Sequence, residues 1–477
     1  MDAVVAISAG MVRGTTHEGI TSFKGIPFAA APDGPLRFRT PVPAPGWDGV
    51  RDAVAFGTPP PQLAPAPGAP PVWRPDDGLD CLTVNVWTPD LGGAGLPVMV
   101  WIYGGGFKHG SSGRPDFDGV CLAGSGVVVV TFDYRFGFEG FGHLPGVPDN
   151  RGLHDQIAAL EWVQGNVAAF GGDPGNVTVF GQSAGAASAA LLTSAPAARG
   201  LFRRAIAQSI PDAFVSTADA EQVTRVLAAE AGVEATWEGF AALPPEAILQ
   251  IQDVPLQGPA AGMSAFGPVI DGDLVTGPPW EQLRGGAGRD VDLVCGFTQD
   301  EARLYTAAMN LPTVDLSAVA ASMRLPASAV ADYRGAYPGL TNADLFTVLL
   351  SDALFRMPTT WVAEAHATAG GRTWLYDLAW QSPPLGACHT LDVPLTFGAA
   401  AGPHAARLLG SPPPADFAVL SEHIRTSWTA FASTGDPGWP RFDLEARITR
   451  IWDIPPSDVR YPLDGSRRIW ERAVRSS

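Results

Sequence analysis

Short apolar runs alternate along this chain with amphipathic segments of helical period. Residues 97–102 and 127–132 are apolar runs of the length that strands buried on both faces show. Leu153, Ile157, Leu160, Val163 and Val167 recur at helical spacing, and Gly171-Gly172-Asp173-Pro174 predicts the stop. Val177-Thr178-Val179-Phe180 predicts another buried strand, and Ala186-Ala187-Ser188-Ala189-Ala190-Leu191-Leu192 a helix after it. Residues 291–297 and 373–380 read as later strands. Residues 221–231, 245–252, 316–323 and 343–357 read as helices. The opening of the chain differs, since residues 4–6, 10–13 and 20–24 predict β-hairpins. Strands alternating with helices predict an α/β fold, a large mostly parallel central sheet with helices on both faces. The later helices predict insertions, some of which cap the C-terminal edge of that sheet.

A Pro/Gly/Ala stretch at residues 64–75 predicts a surface loop, because strand and helix signals resume on both sides. No shift in composition divides the 477 residues, so one domain over 1–477 is expected. A chain that is 46% hydrophobic and 17% charged can bury a large core, and a net charge of −17 argues against nucleic acid and anionic membrane surfaces as partners. No run approaches the ~18 apolar residues of a membrane span. The N-terminus shows neither a basic nor a long apolar region, and Cys81, Cys121, Cys295 and Cys388 have no metal or redox spacing. A cytoplasmic protein with free thiols and no metal or cofactor is expected, with oligomeric state left open. Asn176-Val177-Thr178 matches a glycosylation sequon but starts a predicted buried strand, so it is read as a chance match.

The chemistry centres on Gly181-Gln182-Ser183-Ala184-Gly185, which joins a predicted strand to a predicted helix. Strand, sharp turn, serine and helix make the nucleophile elbow of the α/β-hydrolase fold, whose partners follow in the chain order serine, acid, histidine. His366, His389, His404 and His423 follow the serine. His366 falls in a helical stretch. His389 sits in a loop after a late strand, where it can take the hydroxyl proton and return it to the leaving group. The acid is expected just past the strand at 291–297, where spacing does not choose between Asp300 and Glu301. Tyr103-Gly104-Gly105-Gly106-Phe107 follows the strand at 97–102. Its glycines let main-chain N–H groups approach a developing oxyanion, with Ala184 N–H as a further donor.

With these residues in place, the chain resembles the type-B carboxylesterase family, the cholinesterase-like group of α/β-hydrolases. The resemblance runs through Phe23-Lys24-Gly25-Ile26-Pro27-Phe28-Ala29, Asp80-Cys81-Leu82, Asn85-Val86-Trp87-Thr88-Pro89, Phe170-Gly171-Gly172-Asp173-Pro174, Gly200-Leu201-Phe202-Arg203-Arg204 and the elbow. It implies hydrolysis of small-molecule carboxylic esters through an acyl-serine. It implies Glu301 as the acid, through the match of Asp300-Glu301-Ala302 to the family's Asp-Glu-Gly. It implies His389 through His389-Thr390-Leu391-Asp392, and Gly105, Gly106 and Ala184 as the oxyanion hole. Amidase or carbamate hydrolase chemistry would use the same parts, whereas a non-catalytic relative typically lacks one of the three.

The chain also departs from the family. Tyr103 stands where many bacterial members carry histidine. Gln182 replaces the usual glutamate before the nucleophile, which removes a negative charge and weakens a preference for cations. Leu79 replaces an acid, so the family's salt bridge to the Arg37 position is not expected. Cys81 has no upstream cysteine to pair with, and Ile210 follows Gln208-Ser209 where glycine is usual. Trp73-Arg74-Pro75 loosely resembles the choline-binding tryptophan motif.

Overall fold

The apolar runs of the sequence lie side by side in one thirteen-stranded sheet. The structure, a computed structural model, describes residues 2–64, 68–93, 95–252, 265–309, 311 and 314–476. One edge is antiparallel, formed by Asp2–Ile7, Gly10–His17, Ile20–Pro27 and Thr83–Thr88, with Val50–Asp52 beside Gly10–His17. Beyond it the order is Val128–Phe132, Leu96–Ile102, Gly172–Gln182, Arg204–Gln208, Asp292–Thr298, Thr373–Leu378 and Ile448–Trp452, each parallel to the next. Ser457–Arg460 closes the far edge antiparallel.

Every residue of Val128–Phe132, Arg204–Gln208, Asp292–Thr298 and Thr373–Leu378 is buried. Strands covered on both faces require this, and it explains the near-continuous apolar run of Val128–Phe132. The helices Arg151–Asn166, Ala184–Ser194, Met357–Thr368 and Phe417–Thr434 pack on the sheet. On the sheet, Trp101 lies 4.8 Å from Phe180 of the next strand and 5.1 Å from Phe397 of the short helix Asp392–Phe397, between centroids. The α/β-hydrolase architecture expected from the sequence is therefore present, hairpins included.

The details differ from the sequence reading in two places. Residues 343–357 are not one helix. Asn342–Ser351 is α-helical, Asp352–Arg356 forms a π-turn, and Met357–Thr368 resumes the α-helix. The strands Arg204–Gln208 and Ile448–Trp452 carry arginines and a glutamine among their apolar residues, and the pattern of the chain did not mark them. Outside the sheet, Leu316, Tyr333, Leu345, Leu349, Met357, Ile469 and Trp470 form a second, smaller apolar cluster. The predicted loop at 64–75 has no strand or α-helix among its described residues, and residues 65–67 fall outside the description. Among the described residues, no helix is long and apolar enough to cross a membrane, and no cluster of His, Cys, Asp or Glu could hold a metal ion.

Candidate active site

Strand Gly172–Gln182 ends at Ser183, and helix Ala184–Ser194 starts one residue later. The chain reverses so sharply that Ser183 takes φ 57° and ψ −124°, a conformation L-residues avoid. A Cβ on Gly181 would run into the Gly185 carbonyl, and one on Gly185 into the Ile102 carbonyl. The close approach of the helix start to its own strand and to strand Leu96–Ile102 demands these two glycines. The strain is held from both sides. Ser183 N–H donates to the Gln208 carbonyl on the next strand (2.9 Å), and the Ser183 carbonyl accepts from the N–H groups of Ala186 and Ala187.

The loops after three other strands converge on this serine. His389 Nε2 lies 2.9 Å from Ser183 Oγ, and His389 Nδ1 lies 2.5 Å from Glu301 Oε2. Glu301 is fully buried, and its other oxygen accepts from the Thr298 N–H at 2.9 Å. The His389 N–H in turn donates to the Glu301 carbonyl at 3.0 Å, which ties the two loops together. Asp300, the alternative acid, points elsewhere and pairs with Arg303 at 3.2 Å. A hydroxyl, an imidazole and a carboxylate in this line can pass a proton from oxygen to nitrogen while the carboxylate holds the tautomer.

The glycine loop lies against the elbow. A Cβ on Gly104 would come within 2.9 Å of Ser183 Cβ, and Gly105 and Gly106 take φ 131° and 62°. Tyr103 anchors the loop: its hydroxyl donates to Asp133 (2.9 Å), and its carbonyl accepts from the Tyr134 hydroxyl (2.8 Å). Burial pushes the Asp133 carboxyl up to about 6, against hydrogen bonds from Ser112 and Tyr103 that favour the anion. Ala184 opens the helix beside Ser183, where N–H groups lack intrahelical acceptors. The remaining histidines stand apart from this proton line. His366 is buried against Thr373 (2.8 Å), His404 reaches Thr390 (3.2 Å), and His423 lies in Phe417–Thr434.

Comparison with known proteins shows the family of the chain. The model of the carboxylesterase family matches residues 1–453. The chain belongs to the carboxylesterase family. It is 35% identical to the para-nitrobenzyl esterase of Bacillus subtilis (strain 168), over 97% of this chain and 99% of that one. It is 34% identical to the phenmedipham hydrolase of Pseudarthrobacter oxydans, over 91% and 92%. A solved carboxylesterase of Geobacillus stearothermophilus superposes with a TM-score of 0.87 at 34% identity, covering 98% of this chain and 99% of the other. This carboxylesterase is a carboxylic ester hydrolase.

Its departures from the family pattern have structural consequences. With Leu79 in place of an acid, Arg37 pairs with Glu139, both buried and 2.5 Å apart, and donates to the Leu243 carbonyl at 2.6 Å. Cys81 is buried and free. Trp73 is buried, with its indole N–H on the Gly78 carbonyl (2.9 Å). The Gln182 amide lies against His389, 3.2 Å from Nε2 and 3.5 Å from Nδ1, where a glutamate would place a charge. Asp392 is also buried, accepting from Gln208 (3.0 Å) and the Tyr376 hydroxyl (3.2 Å). Burial first, and the Glu301 carboxylate second, push its carboxyl up to about 6. Sequence reasoning missed two aromatic neighbours of the imidazole. Phe355 stacks on it at 4.0 Å and the Tyr305 ring lies 6.0 Å away.

Proposed function

We propose that this carboxylesterase cleaves small-molecule carboxylic esters with Ser183 as nucleophile, His389 as general base and then acid, and Glu301 as the carboxylate that orients and stabilises the imidazolium. Ser183 Oγ attacks the carbonyl carbon as its proton passes to His389 Nε2. The tetrahedral oxyanion lies against the N–H groups of Gly105, Gly106 and Ala184. Collapse expels the alcohol with the proton from His389 and leaves an acyl-serine. Water, deprotonated by the same imidazole, attacks the acyl-serine and releases the acid.

The observation that carries this reading is the 2.9 Å approach of His389 Nε2 to Ser183 Oγ, from a residue 206 positions away in sequence. The reading takes residues 1–477 as one catalytic domain, because the loops bearing Ser183, Glu301 and His389 all leave strands of one sheet. Four free cysteines fit a reducing, cytoplasmic setting. The test is steady-state hydrolysis of p-nitrophenyl acetate, butyrate and octanoate beside the corresponding p-nitroanilides. Turnover of the esters, lost in both Ser183→Ala and His389→Ala with the fold retained, is expected. Undiminished ester hydrolysis by either variant overturns the assignment.

A further inference from the structure

The glycine loop that runs from Tyr103 to Ser112 begins and ends on one side chain. Just before the glycines, the Tyr103 hydroxyl donates to Asp133 Oδ1 at 2.9 Å. Beyond them, Ser112 N–H donates to the same oxygen at 2.8 Å, and Ser112 Oγ donates to Asp133 Oδ2 at 2.6 Å. One carboxylate thus clasps both ends of the loop. Farther along, Gln62 donates to the Gly110 carbonyl at 2.6 Å and accepts from its N–H at 3.0 Å, and the Gly137 N–H donates to the Phe107 carbonyl at 2.6 Å. These contacts hold the middle of the loop, and Asp133 joins its ends.

The clasp is buried and fixed on every side. Tyr103, Ser112 and Asp133 are all buried. Asp133 N–H donates to the Thr83 carbonyl at 3.0 Å, which sets the carboxylate's main chain. The Tyr103 ring stacks on that of Tyr134, with centroids 4.8 Å apart. Asn85 Nδ2 donates to Ser112 Oγ at 3.0 Å, so the serine's own proton is directed at Asp133. A carboxylate only accepts, and it can take all three of these donors at once. The neighbouring Arg135 is turned to Asp155 at 2.7 Å, so the bonds to Asp133 come from the loop itself.

Gly105 and Gly106 have no side chains to fix them, so their N–H groups take their places from the ends of the loop. Those places matter within a fraction of an ångström, since a Cβ on Gly104 would already come within 2.9 Å of Ser183 Cβ. We propose that Asp133 is a positioning residue for ester hydrolysis, one that clasps Tyr103 to Ser112 and so holds the Gly105 and Gly106 N–H groups where the oxyanion forms. The inference rests on the reading of this loop as the oxyanion hole.

The test is kcat and KM for p-nitrophenyl butyrate, with kcat expressed per serine titrated to completion by a p-nitrophenyl phosphonate, which cancels any loss of folded enzyme. Beside it, the inhibition constant of hexyl trifluoromethyl ketone reports on an oxyanion formed by addition of Ser183. Tyr103→Phe, which removes only the hydroxyl, and Asp133→Val each lower kcat by about tenfold to hundredfold, leave KM within about twofold, and weaken the ketone by a factor similar to that in kcat. Tyr103→Phe added to Asp133→Val lowers kcat little further, because both break one clasp. Asp133→Asn retains kcat within about threefold, since its amide oxygen still accepts from both ends. Where Asp133→Val yields no titratable serine, Tyr103→Phe decides alone. Unchanged kcat and ketone inhibition in Tyr103→Phe, a loss confined to KM, or a loss in Asp133→Asn as large as in Tyr103→Phe overturns the proposal and leaves the catalytic reading intact. Full turnover in Gly105→Ala overturns the oxyanion-hole reading, and the proposal with it.

Discussion

The ring of Phe355 lies on the imidazole of His389, with centroids 4.0 Å apart and planes 24° from parallel. The π-turn Asp352–Arg356 makes this contact, because its extra residue turns Phe355 inward. The turn is itself braced. Arg356 bonds Asp352 at 2.7 Å, the Gln299 carbonyl at 2.9 Å and the Val348 carbonyl at 3.0 Å, and Asp352 also accepts from the Tyr333 hydroxyl at 2.7 Å. Trp470, on the C-terminal helix, donates to the Tyr333 hydroxyl at 2.6 Å, so that helix is linked to the imidazole. An aromatic face favours the imidazolium that the proposed mechanism forms when Ser183 gives up its proton. Phe355→Leu keeps the site apolar but removes the π face. It is expected to lower kcat about threefold to tenfold with little change in KM, measured on one p-nitrophenyl ester; a change confined to KM contradicts this positioning role.

Ser183 holds a strained backbone conformation, which the proposed role as nucleophile accounts for. A non-glycine residue at φ 57°, ψ −124° costs about 1–3 kcal/mol, and glycine recovers that less its own entropic cost of about 0.5–1 kcal/mol. Ser183→Gly is therefore expected to abolish turnover while raising stability by about 1 kcal/mol in urea denaturation. An inactive but destabilised variant shows that the elbow is not strained.

Glu301 accepts from His389 Nδ1 with one oxygen and from the Thr298 N–H with the other. Glu301→Gln preserves shape but presents an amide that favours the wrong imidazole tautomer. By analogy with other serine hydrolases, kcat falls by about 10³–10⁴ with near-native thermal stability. Asp300→Asn, whose carboxylate faces Arg303, loses far less. The reverse order of effects assigns the acid to Asp300.

Gly105 takes φ 131°, and a Cβ there would strike the His109 carbonyl. Gly105→Ala would displace the main-chain donors of the proposed oxyanion hole, so kcat is expected to fall about 10²-fold or more while phosphonylation by an organophosphonate slows in parallel. Retained turnover removes this loop from the oxyanion hole.

Asp377 is fully buried, and neither carboxylate oxygen has a hydrogen-bond partner among the described residues. Burial pushes its carboxyl up to about 7, with Arg356 pulling the other way. A carboxyl whose folded pKa is raised stabilises fully below its unfolded value of about 4, and that contribution is lost as pH climbs through about 7. Asp377→Asn stays neutral throughout. It is expected to match wild type near pH 4 and to exceed it by about 2–4 kcal/mol at pH 8 in urea melts. A difference that does not change with pH excludes the titration of Asp377 as its cause.

The parts of this molecule that sequence revealed are those where one residue type is sterically or chemically demanded. Gly181 and Gly185 mark the elbow because any side chain there would strike a carbonyl. The run 177–180 marks its strand because both faces are covered. His389 was legible from its place in a loop after a late strand. The choice between Asp300 and Glu301 was not, since adjacent residues point in opposite directions and spacing does not say which faces inward; only the resemblance chose. Phe355 was hidden, because an extra residue in one helical turn leaves no trace in the apolar period. The Arg37–Glu139 pair was hidden for another reason, as its partners lie 102 residues apart with no shared motif.

The central claim is that Ser183 is the oxygen on which the acyl group rides. Brief treatment with a p-nitrophenyl phosphonate, tryptic digestion and tandem mass spectrometry locate the adduct directly. The account predicts a single phosphonyl group on Ser183, formed in step with loss of esterase activity. Activity lost with the adduct on another serine, or Ser183 unmodified in fully inhibited protein, would contradict it.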